Sequence, residues 1–166
     1  MDFHLKPISH QAIPEALQKA ERYRLLNEPA QAESICQDVL AVEAGNQQAL
    51  ITLLLAITDQ FGHGGSVSRA REVLRRIQGV YEKAYYAGVI SERTGRAQLS
   101  QGSPNSAFVA YDSFRLAMQS YEEAESNRPP GNDDAILRWN CCARTLMQNQ
   151  NLRPRPDETY EAVQGE

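Results

Sequence analysis

The sequence predicts an all-α protein, and three observations carry that prediction. Apolar residues recur at intervals of three and four, which is the spacing of one helix face. Prolines stand at the edges of the periodic segments and never inside one: Pro14, Pro29 and Pro104 sit where first turns begin, and Pro129 with Pro130 marks a stop. Strand signals, period-two alternation above all, are nearly absent.

Seven helices and no sheet are expected. The first runs from about Ile13 to Leu26, with Ile13, Ala16, Leu17, Ala20 and Tyr23 on one stripe. The second follows Asn27 and Glu28 and carries Ala32, Ile35, Cys36, Val39 and Leu40; so short a connection sets the two antiparallel. The third begins near Asn46. Ala49, Leu50, Leu53, Leu54, Ala56 and Ile57 make it apolar around most of its circumference, which marks it as the most buried. Phe61 to Ser66 reads as a loop, with Ser66 as cap of the fourth helix. The stripe of the fourth, Val73, Leu74, Ile77 and Val80, continues into Tyr81, Ala84, Tyr85 and Gly88, and Gly79 is the residue able to turn the chain between them.

The fifth and sixth helices are long, roughly Tyr81 to Gln101 and Asn105 to Ser126, with a turn of Gly102, Ser103, Pro104 and Asn105 between them. The seventh has Asn132 as cap and Asp133 and Asp134 in its first turn, where acids complement the helix dipole. Its stripe is Ala135, Ile136, Trp139, Cys142, Ala143, Leu146 and Met147. Beyond Asn149 two prolines, many polar residues and no stripe predict a disordered tail. The chain thus divides into an N-terminal extension (1–12), a helical domain (13–149) and a tail (150–166).

Composition narrows the function. The 166 residues suit one domain or a short solenoid, and a net charge of −4 argues against sequence-independent binding to a polyanion. Met1 to Ala20 has no apolar signal region and no segment approaches the roughly eighteen apolar residues of a membrane span. Three cysteines, Cys36, Cys141 and Cys142, form no disulfide framework, so a cytoplasmic chain with reduced thiols and no membrane contact is expected.

Individual motifs read as structure. Gly62, Gly64 and Gly65 lack the lysine and hydroxyl of a phosphate loop and are assigned to a turn. His63 has no partner at metal spacing, and Cys141 and Cys142 are adjacent, where a zinc or redox pair needs two intervening residues. No metal or other cofactor is expected. Cys142 and Trp139 lie on the seventh helix's stripe and are assigned to packing, Trp139 against the sixth helix. Arg69, Arg71, Arg75, Arg76, Arg93 and Arg96 are the one basic concentration, assigned to a solvated face, with an acidic segment or nucleic acid as the functional alternative. HExxH, GxSxG and a strand-to-helix elbow are missing, so no enzyme is expected.

The spacing of small and aromatic residues adds a resemblance. Ala117, Tyr121, Ala124 and Pro129 stand at intervals of four, three and five, and Ala20, Tyr23, Ala32, Cys36, Val39 and Ala44 fit the same template. In this the chain resembles the tetratricopeptide repeat family over about Ile13 to Asn149. The resemblance implies a right-handed superhelix of three helical hairpins closed by a capping helix, and it requires the turn at Gly79. Gly88 and Ala117, at the small positions of a first and a second helix, lie 29 positions apart. The family spacing is about 12, so an insertion lengthening both helices is implied. The first-helix tryptophan, leucine and glycine positions are poorly kept, with Lys19 where leucine is usual, and the middle repeat matches only through Ala70, Leu74 and Ile77.

Function in such a scaffold lies on the concave face made by the first helix of each pair. Carrying over the groove positions gives Leu17, Glu21 and Arg24 on the first helix and Tyr85, Val89 and Glu92 on the fifth. Leu17 and Glu21 occupy the places of the lysine and asparagine that clamp a carboxylate in chaperone-binding members, so no such clamp is expected. The resemblance implies a non-catalytic adaptor that holds a peptide or partner helix, with the apolar residues as anchors and the charges setting register. The alternatives are a homodimer through the long helices, or an anion or nucleic-acid binder through the arginines of the fourth helix.

Overall fold

A computed structural model describes residues 1–156 of the chain. Among the described residues there are seven α-helices and no strand: α1 (Ile13–Leu25), α2 (Pro29–Val42), α3 (Gln47–Asp59), α4 (Val67–Arg76), α5 (Val80–Gln101), α6 (Pro104–Ser126) and α7 (Asp134–Gln148). A single 3-10 turn, His10–Ala12, leads into α1. The protein is all-α.

Local chemistry sets the helix ends. Asn46 caps α3, its side chain accepting from the backbone N–H of Ala49 at 2.9 Å, and Ser66 caps α4 by accepting from Arg69. Gly79 (φ 91°) is the turn between α4 and α5. The α1–α2 turn is closed by Asn27 in the left-handed region (φ 60°), with Asn27 N–H donating to Arg24 O and Glu28 N–H donating to Tyr23 O at 2.8 Å. Three starts differ by one residue from the sequence expectation, α5 beginning at Val80 where Tyr81 is expected. α6 begins on Pro104 itself, whose fixed φ and missing N–H suit a first turn. α7 begins after Asp133, and Asn132 still serves its end by accepting from Asp134 N–H at 3.0 Å.

Each helix packs on the next, and α1 also touches α3, and α3 touches α5. This pattern puts α1, α3 and α5 on one side of the array. The N-terminal core joins α1 to α4 through Ala20, Ala32, Leu50, Leu54, Ile57 and Ile77, with Ile90 of α5 reaching in. Ala20 and Ala32 are fully buried where α1 and α2 pass. The C-terminal core joins α5, α6 and α7 through Val89, Phe114, Ala117, Tyr121, Ala135 and Cys142. Leu55 and Tyr86 pack against both cores and form the seam.

The long pair α5 and α6 meets through glycine. A Cβ on Gly88 would lie 2.5 Å from the Tyr121 ring, and one on Gly95 would lie 3.1 Å from the Phe114 ring. Gly88 faces Tyr121 and, two turns on, Gly95 faces Phe114, two turns back: an antiparallel register in which each aromatic fills the space a side chain would take. Leu152, which the sequence assigns to the tail, is buried in the C-terminal core. Residues 157–166 of that expected tail lie outside the described residues.

Candidate binding groove

α1, α3 and α5 line an open groove of about 480 Å³. Its floor is Ile51, Thr52 and Leu55 of α3, with Tyr86 of α5 as one wall and Glu21, Arg24, Leu25 and Gln48 along the opposite rim. Ile51 and Leu55 lie beside the stripe that α3 buries in its own core, so the helix is apolar enough to serve both. Leu25 is 88% exposed, an apolar side chain left uncovered at the groove's edge.

The groove's end is fixed by charge. Asp59 of α3 accepts from Arg24 Nε at 2.8 Å and pairs with an Arg93 terminal nitrogen at 3.1 Å. One carboxylate therefore ties α1 and α5 to α3. Glu21 is exposed and accepts from Gln48 at 3.2 Å.

A second charged cluster lies between α5, α6 and α7. Glu92 is 3% exposed, and four donor groups reach its two oxygens. Arg96 gives Oε1 two hydrogen bonds, at 3.0 and 3.1 Å, and Oε2 accepts from Tyr121 at 2.7 Å and Arg138 at 3.1 Å. Burial pushes the Glu92 carboxyl up, but the Tyr121 hydrogen bond, the Arg138 charge and the Arg96 contacts outweigh it and hold the carboxyl below its ordinary range. Burial and the Glu92 charge push the Tyr121 hydroxyl well up, so the proton stays on the phenol. A carboxylate so fully engaged is a structural ion. Arg138 Nε donates to Tyr85 Oη at 3.0 Å, and Arg96 reaches Cys141 Sγ at 3.3 Å. Burial pushes the Cys142 thiol up to about 12, as it does that of Cys36.

The six residues expected in the groove are therefore divided by the structure. Glu21 and Arg24 line it. Leu17 is buried in a small core with Ile13, Val39 and Ala49, Val89 is fully buried and Glu92 is the buried ion just described. Tyr85 is half-buried, stacked on Tyr81 at 5.6 Å and tied to Arg138. None of these last four lines the groove. The reason is rotational: positions 85, 89 and 92 form one stripe that α6 and α7 cover, while Tyr86 and Arg93, a residue further round, face α3. The groove residues the sequence did not single out, Ile51, Leu55 and Tyr86, carried one signal, which is apolar character off the main stripe. Asp59 and Arg138 carried none.

The arginine concentration is also divided. Arg69 pairs with Glu33, Arg76 donates to Ala44 O at 2.8 Å, and Arg93 and Arg96 belong to the two carboxylates above. Arg71 and Arg75 are exposed and make no ion pair among the described residues. Trp139 donates to Glu122 of α6 at 2.9 Å. Among the described residues no helix is long and apolar enough to cross a membrane.

Comparison with known protein families, with curated proteins and with solved structures finds no match.

Proposed function

We propose that the helix array is a right-handed superhelix of the tetratricopeptide kind, with hairpins α1–α2, α3–α4 and α5–α6 closed by α7. It serves as a non-catalytic cytoplasmic scaffold that holds a peptide or partner helix against α1, α3 and α5. The observation that carries this reading is the groove itself: three alternate helices supply an apolar floor, an exposed Leu25 and a charged rim. Apolar anchors inside a polar border are the anatomy of a binding surface. Contacts between α1 and α3 and between α3 and α5 support the superhelical reading, because stacked hairpins touch through their first helices. The internal engagement of Arg69 and Arg76 leaves the α4 surface less suited to a polyanion.

The test is a pull-down from the source cell's lysate at low and moderate salt, with the wild-type chain beside Ile51→Glu. A partner retained at both salts and lost with the variant, while the variant's circular dichroism stays helical, is the expected result. A partner that Ile51→Glu retains would place the binding surface elsewhere.

A further inference from the structure

The charges at the groove continue as a row across the array. Asp59 lies between Arg24 and Arg93, and Glu92 lies between Arg96 and Arg138, with every one of these pairs at 3.1 Å or less. Arg93 and Arg96 are three positions apart on α5 and so neighbours on its surface, which joins the two triplets into one line from α1 to α7. Both carboxylates are already shared between two guanidiniums. Each guanidinium has five N–H donors and spends only some of them here. The side chains of Arg24, Arg93, Arg96 and Arg138 keep 21%, 32%, 42% and 29% exposure, so each is partly open to solvent. With Glu21 counted, the line has four cations against three anions, on a chain whose net charge is −4.

We propose that this row selects an acidic peptide segment, whose carboxylates seat on the free edges of the four arginines while its apolar side chains enter the Ile51 and Leu55 floor. The proposal rests on the groove reading above and names the class of partner. Guanidinium edges pair with carboxylates in a fork geometry, and ion pairs already in place hold these arginines ready for it. Nucleic acid fits less well, because the floor of Ile51, Thr52 and Leu55 has no aromatic face on which a base would stack. Helices on one side of such an array lie on the order of 10 Å apart, so the row spans about nine residues of extended chain.

The experiment is fluorescence anisotropy with a labelled peptide of about ten residues, alternating Glu and Leu, and its Gln-for-Glu counterpart. The Glu peptide is expected to bind about tenfold tighter than the Gln peptide, and Arg93→Gln and Arg96→Gln each to weaken it about tenfold. Arg71→Gln and Arg75→Gln, which make the same change in net charge on α4, are expected to leave it unaltered. Circular dichroism checks folding, and Arg93→Lys, which keeps the Asp59 pair and loses the fork, is expected to weaken the Glu peptide severalfold should Arg93→Gln not fold. Equal affinity for both peptides, no affinity for the Glu peptide, equal loss from the α4 variants, or displacement of the peptide by an oligothymidylate of matched charge would each overturn the proposal. If the peptides bind alike or not at all while Ile51→Glu still abolishes capture of the lysate partner, the groove stands and its acidic selectivity falls. If Ile51→Glu spares both lysate partner and Glu peptide, the groove reading falls as well.

Discussion

The two halves of this protein solve the same packing problem with different chemistry. α1 to α4 close on aliphatic side chains, alanines and Cys36, and among the described residues no charged side chain of these helices is buried. α5 to α7 close on tyrosine, phenylalanine and glycine around a buried carboxylate held by two arginines and a phenol. A dry core depends on volume alone and is indifferent to pH. A core built round an ion depends on every one of its donors, because a charge left without partners in a protein interior costs far more than the pair gains. The first half therefore depends on close packing alone, and the second depends also on where α7 places Arg138.

The largest effects should come from removing the centre of each core. Tyr121→Ala takes away a ring that packs on Gly88 and a hydroxyl that holds Glu92, and should cost about 4 kcal/mol in urea unfolding. Tyr121→Phe keeps the ring and should cost about 2 kcal/mol, the worth of one hydrogen bond to a charged carboxylate. Leu54→Ala in the N-terminal core should cost about 3 kcal/mol with no polar component. A Tyr121→Phe loss as large as that of Tyr121→Ala would mean that the ion, not the ring, holds the second core.

Much of this was legible in the sequence where the cause is local. Asn46 and Ser66 are caps because of side-chain chemistry within three residues, and Gly79 breaks a stripe that periodicity alone carries through. Gly88 and Tyr121 stood out by spacing, and the structure puts them face to face. The face of α5 that meets the groove was not legible. Residues 85, 89 and 92 and residues 86 and 93 are both plausible helix stripes about 100° apart, and the choice is made by where α6 and α7 land. The same is true of Asp59 and Arg138, single charges whose meaning lies in partners 35 and 46 positions away. Leu152 is one apolar residue in a polar stretch with no period to announce it.

The halves should also separate by pH. In the folded chain the Glu92 carboxyl lies below its ordinary value of 4.5. Its contribution is therefore complete above that value and fades as pH falls through the folded one. Glu92→Gln should cost about 2 kcal/mol at neutral pH, a moderate figure because Arg96 and Arg138, 42% and 29% exposed, can turn to water. The gap between Glu92→Gln and wild type should begin to narrow as the pH falls below about 5 and go on narrowing below the ordinary carboxylate value. The Leu54→Ala gap should stay constant over that range. A Leu54→Ala gap that narrowed equally would show the acid sensitivity to be global and not seated in the second core.

The smallest contrast lies in the turns that join α1 to α2 and α5 to α6. Asn27 (φ 60°) ends α1 and Gly102 (φ 67°) ends α5, so each of these turns places one residue in the left-handed region, and one uses asparagine where the other uses glycine. A side chain at Gly102 would meet nothing within 4 Å, which leaves backbone strain as the whole cost of Gly102→Ala, about 1 kcal/mol. Asn27→Gly relieves a milder strain but frees the unfolded chain, and the two nearly cancel, for a gain of about 0.3 kcal/mol. Urea unfolding of the two variants side by side checks the order. If Asn27→Gly were instead to destabilise by as much as Gly102→Ala, the N-terminal turn would depend on the asparagine side chain and not on the conformation it allows.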